Sequence, residues 1–76
     1  MADYVLDITR DVCPLTFVKT KLLLERMSPG QTAEIRLKGA EPLENVPRSV
    51  RDHGHDVLSL IPDGAEDCHL LMIRKN

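Results

Sequence analysis

The chain has almost no aromatic residues: Phe17 and Tyr4 are all it has, and tryptophan is absent. Its core must therefore be aliphatic, and a deep pocket for a large organic cofactor does not fit beside such a core in 76 residues. Long apolar runs are missing as well. None approaches the roughly 18 residues that a membrane helix needs, so no membrane partner is expected. The start, Met1-Ala2-Asp3-Tyr4, shows neither a basic region nor an apolar one of the kind that opens a signal peptide. Clustered positive charge is lacking too. Lys and Arg are interleaved with Asp and Glu, apart from Arg74-Lys75, and the net charge is −2. That argues against direct nucleic-acid binding, which rests on grouped cations facing phosphates. With two cysteines there is no secreted disulfide framework. A cytoplasmic protein with reduced thiols is expected.

What is present is a 42% hydrophobic composition, enough for one two-layer core, so residues 1–76 are expected to form a single domain. Tyr4-Val5-Leu6-Asp7-Ile8 is rich in strand formers and predicts the first strand. Pro14, with its fixed φ and no N–H, suits a first helical position, which makes Cys13 the cap residue. The helix is expected to run to about Met27 and stop at Ser28-Pro29-Gly30. Leu15, Val18 and Leu22 share one face at helical spacing, with Phe17 and Leu24 nearly opposite. That apolar surplus is assigned to core over a curved sheet in preference to a partner contact.

Ala33, Ile35 and Leu37 alternate with Glu34, Arg36 and Lys38, the pattern of a half-buried strand. Leu43, Val46 and Val50 then recur at helical spacing. Since Pro47 fits only a first turn, this second helix is expected to begin between Pro42 and Asn45 and to end near His53, with Gly54 as its stop. Val57–Ile61 and Cys68–Arg74 read as two more strands around Pro62-Asp63-Gly64, antiparallel to one another. The order β-α-β-α-β-β is an α+β arrangement, a two-layer α/β sandwich whose first unit is a right-handed crossover.

In such a crossover the loop after the first strand lies at the strand's carboxyl edge, where helix N-termini gather and ligands bind. Cys13 falls in that loop. A cysteine at a helix N-terminus meets unpaired N–H groups and the positive end of the helix dipole, which favour the reactive thiolate. Arg10 would favour it further and Asp11 would oppose it. Thr16, one turn in, is within reach of a hydrogen bond to the sulfur, although an ordinary helix-surface threonine is the plainer reading. Cys68 has no partner in Cys-x-x-Cys spacing and reads as a partly buried, non-catalytic thiol. His53, His55 and His69 with the cysteines match no compact zinc spacing, so neither a metal nor any other cofactor is expected.

Nearly the whole chain resembles the TusA family of sulfur carriers, also called SirA-like or YeeD-like. The resemblance rests on Leu6-Asp7 followed by Cys13-Pro14, on Pro29-Gly30, on Asn45-Val46-Pro47, on Gly54-His55 and on Ile73-Arg74-Lys75, in that order. It implies a mixed four-stranded sheet of order 1-2-4-3 with two helices on one face, as in the C-terminal domain of translation initiation factor three. It also implies that Cys13 carries sulfane sulfur as a persulfide; Pro14 belongs to the matching motif, whereas the supporting roles of Arg10 and Thr16 rest on their charge and position alone. A sulfurtransferase-type relay would follow, taking sulfur from a cysteine desulfurase or rhodanese and passing it to an acceptor protein. Destinations in the family include tRNA thiolation, molybdenum-cofactor maturation and sulfur oxidation. The family pattern Cys-Pro-x-Pro has Thr16 in place of its second proline here, and Arg10 stands where a glycine is usual. A monomer is expected. Two other functions remain open to the same cysteine: a redox or regulatory module, and a non-catalytic interaction domain.

Overall fold

A computed structural model describes residues 2–12, 15–64 and 67–76. The elements follow in the order β1 (Tyr4–Asp7), α1 (Leu15–Arg26), β2 (Thr32–Lys38), α2 (Ala40–Asp52), β3 (Asp56–Pro62) and β4 (Cys68–Arg74). One sheet holds all four strands in the order β1-β2-β4-β3. β1 runs parallel to β2, with Leu6 opposite Ile35, while β4 is antiparallel to both β2 and β3. The expected α+β architecture and sheet order are both present.

Strand periodicity sorts the two faces of the sheet. Ala33, Ile35 and Leu37 on β2 and Leu71 and Ile73 on β4 are fully buried, together with Ile8 just beyond β1. They form one cluster with Leu23, Leu24 and Met27 from α1 and its end, and with Val46 and Val50 from α2. Both helices therefore pack on that face, while Arg36 and Lys38 project from the other. β3 is an edge strand with a bulge between Val57 and Ser59, an irregularity that discourages pairing with a further strand.

Three sequence expectations need correction. The core face of α1 is not Leu15, Val18 and Leu22, which are 48%, 46% and 53% exposed. It consists of Thr16, Thr20, Leu23 and Leu24. Helical spacing alone cannot choose between faces when six of twelve residues are apolar and surround the axis. Thr16, accordingly, is not a surface residue. α2 begins earlier than its prolines suggested, at Ala40. Gly39 makes the preceding turn at φ +96°, and Pro42 falls in the first turn, where no intrahelical N–H is needed. Pro47 then lies inside the helix, where its missing N–H costs a hydrogen bond that the burial of its ring offsets.

The end of α2 follows the expected pattern closely. The N–H of Gly54 donates to the Arg51 carbonyl (2.9 Å) and that of His55 to the Val50 carbonyl (3.0 Å), with Gly54 at φ +85°. This is a Schellman closure, in which glycine takes the left-handed position without strain from a side chain.

Candidate functional site

The chain leaves β1 through a tightly bonded turn. The Asp7 carboxylate accepts hydrogen bonds from the Thr9 hydroxyl (2.7 Å) and the Thr9 N–H (2.9 Å). Those two bonds, opposed by desolvation and helped to a smaller degree by the Arg36 and Arg10 charges, hold the Asp7 carboxyl below its ordinary value of 3.8. Ile8 anchors the turn: its side chain is fully buried and its N–H donates to the Arg36 carbonyl at 3.1 Å, carrying the pairing one residue past β1. The Asp11 N–H returns to the Ile8 carbonyl (3.2 Å), and the Leu15 N–H donates to the Val12 carbonyl (2.7 Å) where α1 begins.

Cys13 and Pro14 lie outside the described residues. Their described neighbours, Val12 and Leu15, are 71% and 48% exposed. Arg10 is exposed, and Thr16 is 2% exposed on the core side of the first turn. The residue that sequence reasoning missed is Lys19. Its ammonium lies 2.8 and 2.9 Å from the two carboxylate oxygens of Asp11, across eight residues and from the second turn of α1. The negative charge expected to oppose a thiolate therefore has a cation of its own. No local sequence rule pairs these two, because the contact depends on how the turn after β1 folds back along the helix.

The carboxyl end of β2 and the amino end of β4 complete this edge. The Gly39 N–H donates to the Asp67 carbonyl (3.0 Å), with Asp67 at φ +60°, a left-handed conformation that aspartate tolerates better than most residues. Arg36 Nε lies 3.4 Å from Asp63 Oδ2. Cys68 is a free, partly buried thiol, as expected. His69 is beside it, with Nδ1 buried and unpartnered among the described residues. His53 and His55 belong to the opposite end of the sheet, near the β4 terminus, where the Asn76 N–H donates to His55 Nδ1 at 3.1 Å. The three histidines are thus not brought together. Among the described residues no three His, Cys, Asp or Glu side chains form a metal-ligating group, and no helix is long and apolar enough to cross a membrane.

Residues 4–75 match the family described as Sulfurtransferase TusA. The chain belongs to the TusA family. Its curated relatives bear names that agree. An Archaeoglobus fulgidus protein named "Putative sulfur carrier protein" is 40% identical over 74 residues, covering 97% of this chain and 84% of that protein. A Thermotoga maritima protein of the same name is 36% identical, over 72% of this chain and 70% of its own length. An Escherichia coli protein named "Putative sulfur carrier protein YedF" is 31% identical over 82% of this chain and 80% of its own. The solution structure of HP1264 from Helicobacter pylori superposes with a TM-score of 0.74 over 95% of this chain and 96% of that one. At 17% identity it shows that the TusA-family chain shares a fold with HP1264 and nothing further.

Proposed function

We propose that this TusA-family protein carries sulfane sulfur as a persulfide on Cys13 and hands it to an acceptor protein. The observation that carries the reading is the family match over residues 4–75, which spans a cysteine only two residues before the first residue of α1. A helix of this length offers an anion at its N-terminus free N–H groups and a favourable dipole. α1 has no acidic residue in its first turn to cancel that field. Asp11 is neutralised by Lys19, and Arg10 adds a nearby exposed cation.

The chemistry is a pair of thiol exchanges. The Cys13 thiolate attacks the terminal sulfur of a donor persulfide. The donor's S–S bond breaks, its cysteine leaves as thiolate, and Cys13 keeps the outer sulfur. An acceptor thiolate then attacks that outer sulfur and releases the Cys13 thiolate. No electrons are gained or lost overall, and no metal or organic cofactor takes part. Pro14 fixes the backbone after the nucleophile, and Thr16 supports the first turn from its buried side.

The test is intact-mass analysis after incubation with a cysteine desulfurase and cysteine, or with a rhodanese and thiosulfate. A gain of about 32 Da, one sulfur atom, that Cys13→Ser abolishes and Cys68→Ser does not is the expected result. Sulfenic acid or disulfide formation under mild oxidant without any sulfur loading would overturn it in favour of a redox module.

A further inference from the structure

Between the two helices lies a cavity of about 370 Å³. Its origin is a size deficit: Thr20 of α1 and Ser49 of α2 are short, and neither fills the space between Phe17 and Leu24 on one side and His53 on the other. The volume lies within the range typical of small-molecule sites. The walls are mainly apolar, and Phe17, the chain's single phenylalanine, offers a ring that is 38% exposed.

The rim is polar and unevenly charged. Lys21, Lys75, His53 and His55 border the cavity against one carboxylate, Glu25. Neither lysine pairs with a carboxylate among the described residues; Lys75 donates to the Met27 carbonyl at 2.7 Å, and Lys21 is exposed. The histidine tautomers follow from their partners. His53 Nδ1 lies 2.8 Å from the Ser49 carbonyl and so must donate to it. His55 Nδ1 accepts from the Asn76 N–H, so the neutral ring carries its proton on Nε2, a further donor at this end of the molecule.

We propose that this cavity binds a small amphiphilic organic anion, its apolar body lying between the helices against Phe17 and Leu24 and its acidic group facing Lys21 and Lys75. The chain as a whole is acidic, at −2, so a cationic rim around an apolar hollow is a local departure from its average surface. Charge complementarity selects an anion, and the size of the half-open cavity, about 370 Å³, selects a small molecule. Its rim residues His55 and Lys75 flank the start of β3 and the end of β4, while Phe17 and Val18 reach it from the first turn of α1.

The experiment uses the reduced full chain with no sulfur donor, so its outcome is independent of any persulfide chemistry. The probe is anilinonaphthalene sulfonate, an aromatic body with one fixed negative charge, titrated by fluorescence and by amide NMR shifts. The expected result is saturable one-site binding with shifts centred on Phe17, Thr20, Ser49 and His53, weakened about tenfold by Lys21→Glu and by added salt. Phenylnaphthylamine, the same skeleton without the sulfonate, should bind more weakly. Lys75→Gln serves as a second variant with no added negative charge and should weaken binding less than Lys21→Glu. Non-saturable binding, shifts centred elsewhere, indifference to both lysine variants, or equal affinity for the uncharged skeleton would each overturn the proposal.

Discussion

α1 and α2 lie side by side on the same face of one sheet, yet they place their apolar residues by different rules. α2 turns Pro42, Val46, Pro47 and Val50 inward and leaves charged residues such as Arg48 and Arg51 outside. α1 buries Thr16 and Thr20 along with Leu23 and Leu24, and exposes Leu15, Val18 and Leu22. In α2, polarity predicts burial. In α1 it does not, because the helix has more apolar side chains than one buried face can hold and some small polar ones where it meets its neighbours. Only in α2 can the core be inferred from the sequence pattern.

Three consecutive leucines put that difference to its strongest test. Leu23 and Leu24 are 8% and 7% exposed, whereas Leu22 stands outside. Leu23→Ala or Leu24→Ala should cost about 2–4 kcal/mol in urea denaturation, through lost burial and the cavity left behind. For a chain of this size that is a large part of the total stability, about 4–11 kcal/mol at typical values per residue. Leu22→Ala should cost less than about 1 kcal/mol. Equal losses at all three positions would mean that α1 is packed on both sides.

On α2 the corresponding contrast is smaller. Val50 is 1% exposed, and Val50→Ala should lose about 2 kcal/mol. Arg48→Ala should change the unfolding free energy by less than about 0.5 kcal/mol, because the Arg48–Glu44 pair is 3.6 Å apart with both side chains largely in solvent.

These contrasts also explain what could be read in advance. Strand alternation fixed the face of β2, and Gly30 and Gly54, expected at the helix stops, do have positive φ. β4 has the expected bounds, an apolar run set off by the turn before it. The orientation of α1 was not legible, because Leu15, Val18 and Leu22 satisfy helical spacing as well as the true core residues do. Nor was the early start of α2, where Gly39 and a buried Pro47 override the usual position of proline. At the candidate site, Cys13-Pro14 and its spacing from Leu6-Asp7 were visible in the sequence. The Asp11–Lys19 pair was not, being a consequence of tertiary folding. The inter-helix cavity was equally hidden, since it arises from two short side chains on different helices.

The loop at Asp11 extends the comparison from stability to reactivity. Lys19→Met removes the cation that faces Asp11, leaving a bare carboxylate two residues from Cys13. Alkylation of Cys13 by iodoacetamide near neutral pH should slow by about two- to fivefold, because a nearby negative charge disfavours the thiolate. Asp11→Asn should reverse the loss in the Lys19→Met background. A rate unchanged by either substitution would show that the pair serves only to hold the loop.

The smallest expected effects come from two carboxylates at opposite ends of the sheet, whose settings differ in kind. Asp7 is held mainly by neutral donors, the hydroxyl and N–H of Thr9. Asp56 is held first by the Arg74 guanidinium, 2.6 Å away, and then by Asn76. Both carboxyls lie below the ordinary value of 3.8 in the folded protein. Each therefore stabilises the fold above its unfolded-state value, and that contribution fades as pH falls through the lowered folded-state value. Asp7 is exposed and Asp56 only partly buried, so the effect should be a modest drop in urea midpoint as pH falls below about 4. Asp7→Asn and Asp56→Asn should each remove part of that drop. Salt should distinguish them: the Asp56 share rests on an ion pair and weakens as ionic strength rises, whereas the Asp7 share rests on short-range hydrogen bonds from uncharged groups and persists. If both shares faded equally with salt, the more distant Arg36 and Arg10 charges, not Thr9, would be what holds the Asp7 carboxylate ionised.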